Sequence, residues 1–274
     1  MSTPARPGSV TDAMTVPSPA NDAPRRAAAQ ASRWLCLGVA YVWLWTGLAV
    51  FHPHYRALGE DYLAPLGLPP EVMYATCAAE VLLGLRVALG RAATWLTLFQ
   101  VAMIAGFTAI LSVSQPGLWL DPLGVLTKNI VLLVMIGTAW LLGREGWSDR
   151  AYWLLQGGLV GFWVVDALAA WMFAREERFF GATWPYGCAE LVLALTLLRP
   201  PGCSALVILL AHVGWLLMLT VFASLPEPLL WFHPFGPLTK YVAVLVGTLV
   251  LMLDGWTAVA ARRYHEQIAS TKGH

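Results

Sequence analysis

Charge is what this chain of 274 residues has least of: 12% of it is Asp, Glu, Lys or Arg, against roughly a quarter in a soluble domain. That shortage excludes an ordinary soluble globule. The formal net charge is +1 and no basic stripe runs along any segment, so the electrostatic footprint of a nucleic-acid binder is missing. No CxxC pair occurs among the four cysteines, Cys36, Cys77, Cys188 and Cys203. Each lies in or beside an apolar run and reads as a small hydrophobe, not as half of a redox dithiol. There is no GxGxxG between a strand and a helix, no Walker loop, no GxSxG and no HExxH. NAD, nucleotide, serine-hydrolase and zinc-protease chemistry therefore lack their usual sequence carriers. A cleaved signal peptide is not expected, because the first apolar run starts only at Trp34 and is too long for one.

What the chain has in quantity is apolar and aromatic surface: 58% hydrophobic residues, with 14 Trp and 18 Pro. Eight apolar segments follow one another, at about 34–51, 71–90, 92–112, 122–142, 151–173, 183–198, 203–224 and 237–254. About 20 apolar residues in a helix cross the roughly 30 Å hydrocarbon core. The runs are continuous, not alternating, which favours helices over a barrel. The segment 183–198 is short and would tilt less or thin the bilayer. The expectation is an all-α integral membrane protein with about eight transmembrane helices. A disordered cytoplasmic arm is expected over 1–30 and a cytoplasmic tail over 257–274. If all eight segments cross, Arg33, Arg91, Arg144, Arg150 and Arg199 share one side, while Arg56, Arg175 and Arg178 lie opposite among acids. Both termini are then cytoplasmic, in a bacterial inner membrane.

The segments form two sets of four. "CAAEVLLGL" at 77–85 matches "GCAELVLAL" at 187–195, and "LWLDPLGVLTKN" at 118–129 matches "LWFHPFGPLTKY" at 230–241. "YVWLWTGLAVF" at 41–51 matches "GFWVVDALAAW" at 161–171 more weakly, and the offsets along the chain run 120, 110 and 112. Four crossings return the chain to its starting side, so the repeats are parallel. The units expected are two four-helix bundles, 31–145 and 150–256.

The polar residues inside these runs are the candidate site: Glu80, Lys128, Asp166, Glu190, His212 and Lys240. Asp121 before Pro122 is a good helix start, and it places Lys128 about 9 Å inside the helix. An unpaired lysine there costs at least about 2.5 kcal/mol on insertion scales. Glu80 is its candidate partner, and Glu190 with Lys240 repeats the pair. Asp166 adds a second acid, and His212 falls where the first repeat has Gln100. Three readings stay open: lysines that snorkel outward, structural ion pairs, or a ligand or proton site. Asn129 and His233 are secondary candidates, with His233 taking the place of Asp121. His52-Pro53-His54 reads as an exposed loop pair and not as a metal site, since no ligand cluster accompanies it. Trp43, Trp45, Trp163 and Trp215 read as packing residues, with an aromatic box for a flat ligand as the alternative.

The motifs "YVWLWTGL", "AAEVLLGL" and "WLDPLGVLTKN", with "CAELVLAL" and "WFHPFGPLTKY" in the second half, resemble the DoxX-like membrane family over about 30–255, as two tandem units. The second unit departs from the pattern at His233 and Tyr241. The resemblance implies a four-helix membrane bundle and a redox setting, because founding members are linked to quinone-coupled sulfur oxidation. Relatives occur beside or fused to short-chain dehydrogenase-like domains; this chain carries no such motif, and no dehydrogenase activity of its own is expected. The expected role is an accessory subunit that binds quinone or lipid between its helices, with a soluble or membrane oxidoreductase as partner. Two alternatives stay open: a proton-coupled carrier or small-molecule-binding protein, and a structural or assembly protein.

Overall fold

The computed structural model describes residues 19–90, 93–114, 116, 127–172, 183–198, 205–225, 228–233, 238–258, 260, 261, 268 and 271; the side chains of 19–22, 127, 128, 183, 223 and 240 are not among them. Among the described residues the chain is all-helical, with no strand. In chain order the α-helices are α1 (Pro19–Leu48), α2 (Pro53–Leu63), α3 (Glu71–Leu89), α4 (Thr94–Ser114), α5 (Thr127–Glu145), α6 (Asp149–Met172), α7 (Thr183–Leu197), α8 (Ala205–Ser224) and α9 (Thr239–Val250). Each of the eight apolar segments is helical where it is described, apart from single residues at the ends of four of them. Six helices are long and apolar enough to cross a membrane: Ala23–Phe51, Glu71–Leu89, Thr94–Ser114, Asp149–Met172, Ala205–Phe222 and Tyr241–Ala258, the last continued from α9 by a π-helical turn. Trp184–Leu197 is a shorter apolar helix.

Two local expectations are corrected. The arm does not reach residue 30: α1 begins at Pro19, and Ala28 and Ala31 are buried in the core. The alanines of "APRRAAAQA" carry the highest helix propensity, and their small side chains let the helix end pack closely. Residues 1–18 lie outside the described residues. His52-Pro53-His54 is not a loop either. His52 is the N-cap of α2, its ring Nδ1 accepts the His54 backbone N–H at 3.2 Å, and Pro53 takes the first helical position, where a missing N–H costs nothing. The His52 ring stacks on Phe232, with centroids 4.1 Å apart. Among the described residues no group of three His, Cys, Asp or Glu could hold a metal ion.

The halves do not stand as separate bundles. One hydrophobic core runs from Leu35 and Met135 through Leu155, Leu159 and Trp163 to Leu251 and Trp256. α1, α5, α6 and α9 meet in the middle; α3 packs on α1 and α7 packs on α6, while α4 lies against α5 and α8 against α7 and α9. The outward faces of α4 and α8 are apolar: Leu98, Phe99 and Val113 on one, Leu206, Leu210 and Leu217 on the other, are each more than one-third exposed. Such faces suit hydrocarbon and not water.

Candidate functional site

α1 to α5 line a half-open cavity of about 190 Å³ in the first half. Helical spacing sets Thr76, Cys77 and Glu80 on one face of α3, and that face lines the cavity. α1 contributes Trp43 and Thr46, α5 contributes Asn129, and α2 lies across the space with Tyr55 and Tyr62. Ile104, Phe107 and Leu132 make much of the remaining wall apolar. The hydroxyls of Thr46 and Thr76 are turned back to their own helices, donating to Val42 O at 2.8 Å and Val72 O at 2.7 Å. Asn129 Nδ2 donates to Thr108 Oγ1 at 3.1 Å. Tyr55 is buried with its hydroxyl 3.3 Å from Cys77 Sγ. Burial, and then the nearby Glu80, push the Tyr55 phenol above the ordinary tyrosine range, so it stays a neutral hydrogen-bonding group. Glu80, buried at 7% exposure, is the one carboxyl among the described residues of this wall.

The second half carries a different set at the matching positions. Asp166 stands where Thr46 does, Tyr186 where Thr76 does, Glu190 where Glu80 does and Tyr241 where Asn129 does. The structure gathers them: Glu190 faces Asp166 from α6, Tyr186 from its own helix and Trp215 from α8. Tyr241 of α9 faces Tyr186 and both carboxyls. Glu190 is wholly buried and Asp166 nearly so.

A second layer links the halves more literally. Trp43 Nε1 donates to Gln100 Oε1 at 3.2 Å. At the matching positions Trp163 meets His212, with ring centroids 5.9 Å apart and nearly edge-on. His212 Nδ1 lies 2.8 Å from Ile208 O of its own helix. The close helix pairs also match. A Cβ on Gly47 would sit 2.7 Å from Cys77 O, and one on Gly187 would sit 2.9 Å from Ala167 O. Residues 47 and 77 correspond to 167 and 187, so each half has one glycine at the same crossing, on opposite helices.

The structure thus brings Asp166 and Glu190 together, sets Glu80 and Asn129 on one cavity, and places Gln100 and His212 against the two tryptophans. Half-buried His233 lies beside Tyr62 of the cavity wall, the two ring centroids 6.4 Å apart. Among the described residues there is no salt bridge. The expected pairings are outside that set, because the side chains of Lys128 and Lys240 lie outside the described residues, as does all of Asp121. Sequence reasoning did not place Tyr55, Thr76, Cys77 or Tyr186 at the site, and it named Tyr241 only as a departure from the repeat pattern. The repeat alignment held the signal for four of them, since it sets small or short side chains of one half against larger or smaller ones of the other.

Long apolar helices with outward apolar faces define an integral membrane protein. More particularly, the chain belongs to the DoxX-like family, whose model matches it twice, over residues 40–137 and 150–249. No curated protein and no solved structure matches it.

Proposed function

We propose that this protein is a non-catalytic component of a membrane redox system that binds a quinone or a lipid in the cavity of its first half. The cavity carries the reading. It lies among the apolar helices of the first half, is largely apolar and, among the described residues, has one carboxyl in its wall, the usual make-up of a small-molecule site. All eight apolar helices cross the bilayer in this reading, as two parallel sets of four with both termini on the cytoplasmic side of an inner membrane. Lys128 and Lys240 supply counter-charge to the carboxyls of their own halves, an assignment made by register alone. A soluble or membrane oxidoreductase is the expected partner.

The test is mass spectrometry of small molecules that co-purify with the full chain in mild detergent, compared with the Thr76→Tyr variant. The expected result is a quinone or lipid near one per chain, lost in the variant. Equal ligand content in both proteins would remove the cavity as the site. The facing pair Asp166 and Glu190 favours a second reading, a proton-coupled carrier. Ligand-driven proton uptake by reconstituted vesicles, abolished by Glu190→Gln, would establish that reading in place of the first.

A further inference from the structure

Away from the cavity, the halves also part where α3 ends, α4 begins and α5 ends. Arg86 stands in the last turn of α3 and Arg144 in the last turn of α5. Cations suit helix C-termini, and their long stems reach a membrane surface unaided. Neither demand calls for an aromatic ring, yet both arginines have one. The Arg86 guanidinium lies 5.6 Å from the ring centroid of Trp95, in the first turn of α4. The Arg144 guanidinium lies 4.9 Å from that of Trp140, one turn back on α5. Trp140 Nε1 donates to Thr94 Oγ1 at 3.1 Å, beside Trp95 in the chain. Arg86, Trp95, Thr94, Trp140 and Arg144 thus make one continuous row across three helices. The matching positions of the second half hold Thr196, Val207, Leu206, Met252 and Trp256. None is a cation; Leu206 and Val207 are exposed apolar residues, and Trp256 is buried.

From this row we infer that the first half carries a site for an anionic phospholipid, whose headgroup phosphate is held by Arg86 and Arg144. The site lies at the helix ends and does not involve the cavity or its ligand. Both arginines are exposed. A guanidinium over an indole ring is held by its face, which leaves the planar edge to grip a phosphate by paired N–H bonds. With five N–H donors each, the two keep donors for a phosphate even where another group takes one. Depth agrees with a headgroup: α3 and α4 are long and apolar enough to cross the bilayer, and the row marks where they end and begin, the level at which tryptophan gathers in membrane proteins. The acyl chains have a surface too. Leu98 and Phe99, one turn further along α4 from Trp95, are exposed and apolar. That continuity singles out a lipid over a free phosphate. The row itself carries two positive charges and no carboxylate, which favours a headgroup of net negative charge over a zwitterion.

Native mass spectrometry of the full chain in mild detergent tests it, with phosphatidylglycerol and phosphatidylcholine of identical acyl chains added together. Phosphatidylglycerol should be retained about tenfold better, the worth of one charge-assisted hydrogen bond. Arg86→Gln combined with Arg144→Gln should abolish that preference. Arg150→Gln removes an exposed charge of the same sign at the start of α6, outside the row, and should leave the preference intact. If the double glutamine variant fails to fold, Arg86→Lys with Arg144→Lys keeps both charges but loses the planar fork, and should lower the preference. Equal retention of the two lipids by the unaltered chain would overturn the inference. So would a preference that survives in a folded Arg86 and Arg144 variant, or one lost to the same extent in Arg150→Gln. Displacement of phosphatidylglycerol by an equal concentration of inorganic phosphate would overturn the lipid as ligand and leave a site for free phosphate.

Discussion

Where α3 carries Thr76, α7 carries Tyr186, and where α5 carries Asn129, α9 carries Tyr241. The same helix arrangement thus surrounds a cavity in one half and two phenol rings in the other. The electrostatics differ in parallel. The first half sets one acid, Glu80, and the second sets two, Asp166 and Glu190, facing each other. Each half has a single lysine at the start of its last helix, Lys128 or Lys240. The two halves thus differ in side-chain size at matching positions beside Glu80 and Glu190. What the difference teaches is that shared polar residues between repeats mark shared architecture, while the positions that changed size mark where the two halves differ in shape.

The largest effect expected from that comparison concerns charge. If each lysine neutralises the carboxyls of its own half, Glu80→Gln leaves Lys128 without a counter-ion, whereas Glu190→Gln leaves Asp166 beside Lys240. Breaking a buried pair costs about 3–5 kcal/mol. Glu80→Gln should therefore lower the unfolding free energy in detergent by that amount, and Glu190→Gln by distinctly less. Adding Lys128→Met to Glu80→Gln should restore most of the loss, since an absent pair costs less than an orphan charge. A double variant no more stable than the weaker of its two singles would break the pairing.

Next in size is the reverse of the filling experiment. Tyr186→Thr with Tyr241→Asn copies the open half into the filled one. Removing two large side chains from a packed interior costs about 3 kcal/mol or more. If the halves are equivalent frames, the variant also gains a second site for the molecule that co-purifies in the first cavity, and its stoichiometry rises from one to two per chain. A destabilised variant that still binds one molecule would show that the second frame closes on the lost volume, and the equivalence of the two halves would fail at that point.

How much of this could be read from the sequence depends on what each residue has to announce itself. The eight helices were legible because continuous apolar runs are long-range patterns that survive any detail of packing. α2 was not: "PHYRALGEDYL" is short and polar, and its one clear signal was Pro53 at the first helical position. Charged residues within apolar runs stood out at once, so Glu80, Asp166 and Glu190 were legible as candidates, and the repeat register set Gln100 opposite His212. Where the cavity lies was not legible. A cavity is a property of what neighbouring helices fail to fill, and Thr76 is unremarkable until Tyr186 is placed against it. The central packing of α1, α5, α6 and α9 was hidden for a related reason: repeats in sequence suggest two bundles, and only the contacts between them reveal one core.

The smallest effect separates the halves at their most similar point. Trp43 donates its indole N–H to Gln100 across two helices, whereas His212 turns Nδ1 to its own backbone and meets Trp163 through the ring. Hydrogen bonds between membrane helices average about 0.6 kcal/mol, but a buried indole N–H left without an acceptor raises the cost toward about 1 kcal/mol or more. Gln100→Leu should therefore destabilise by about 1 kcal/mol. Gln100→His, which copies the second half, should cost less, because an imidazole nitrogen can still accept from Trp43. Thermal unfolding in one detergent at one pH above neutrality, where the introduced imidazole is neutral, ranks the two variants. If Gln100→His is the more damaging change, the two tryptophan layers are alike in position only, and the correspondence between halves stops at the helix backbones.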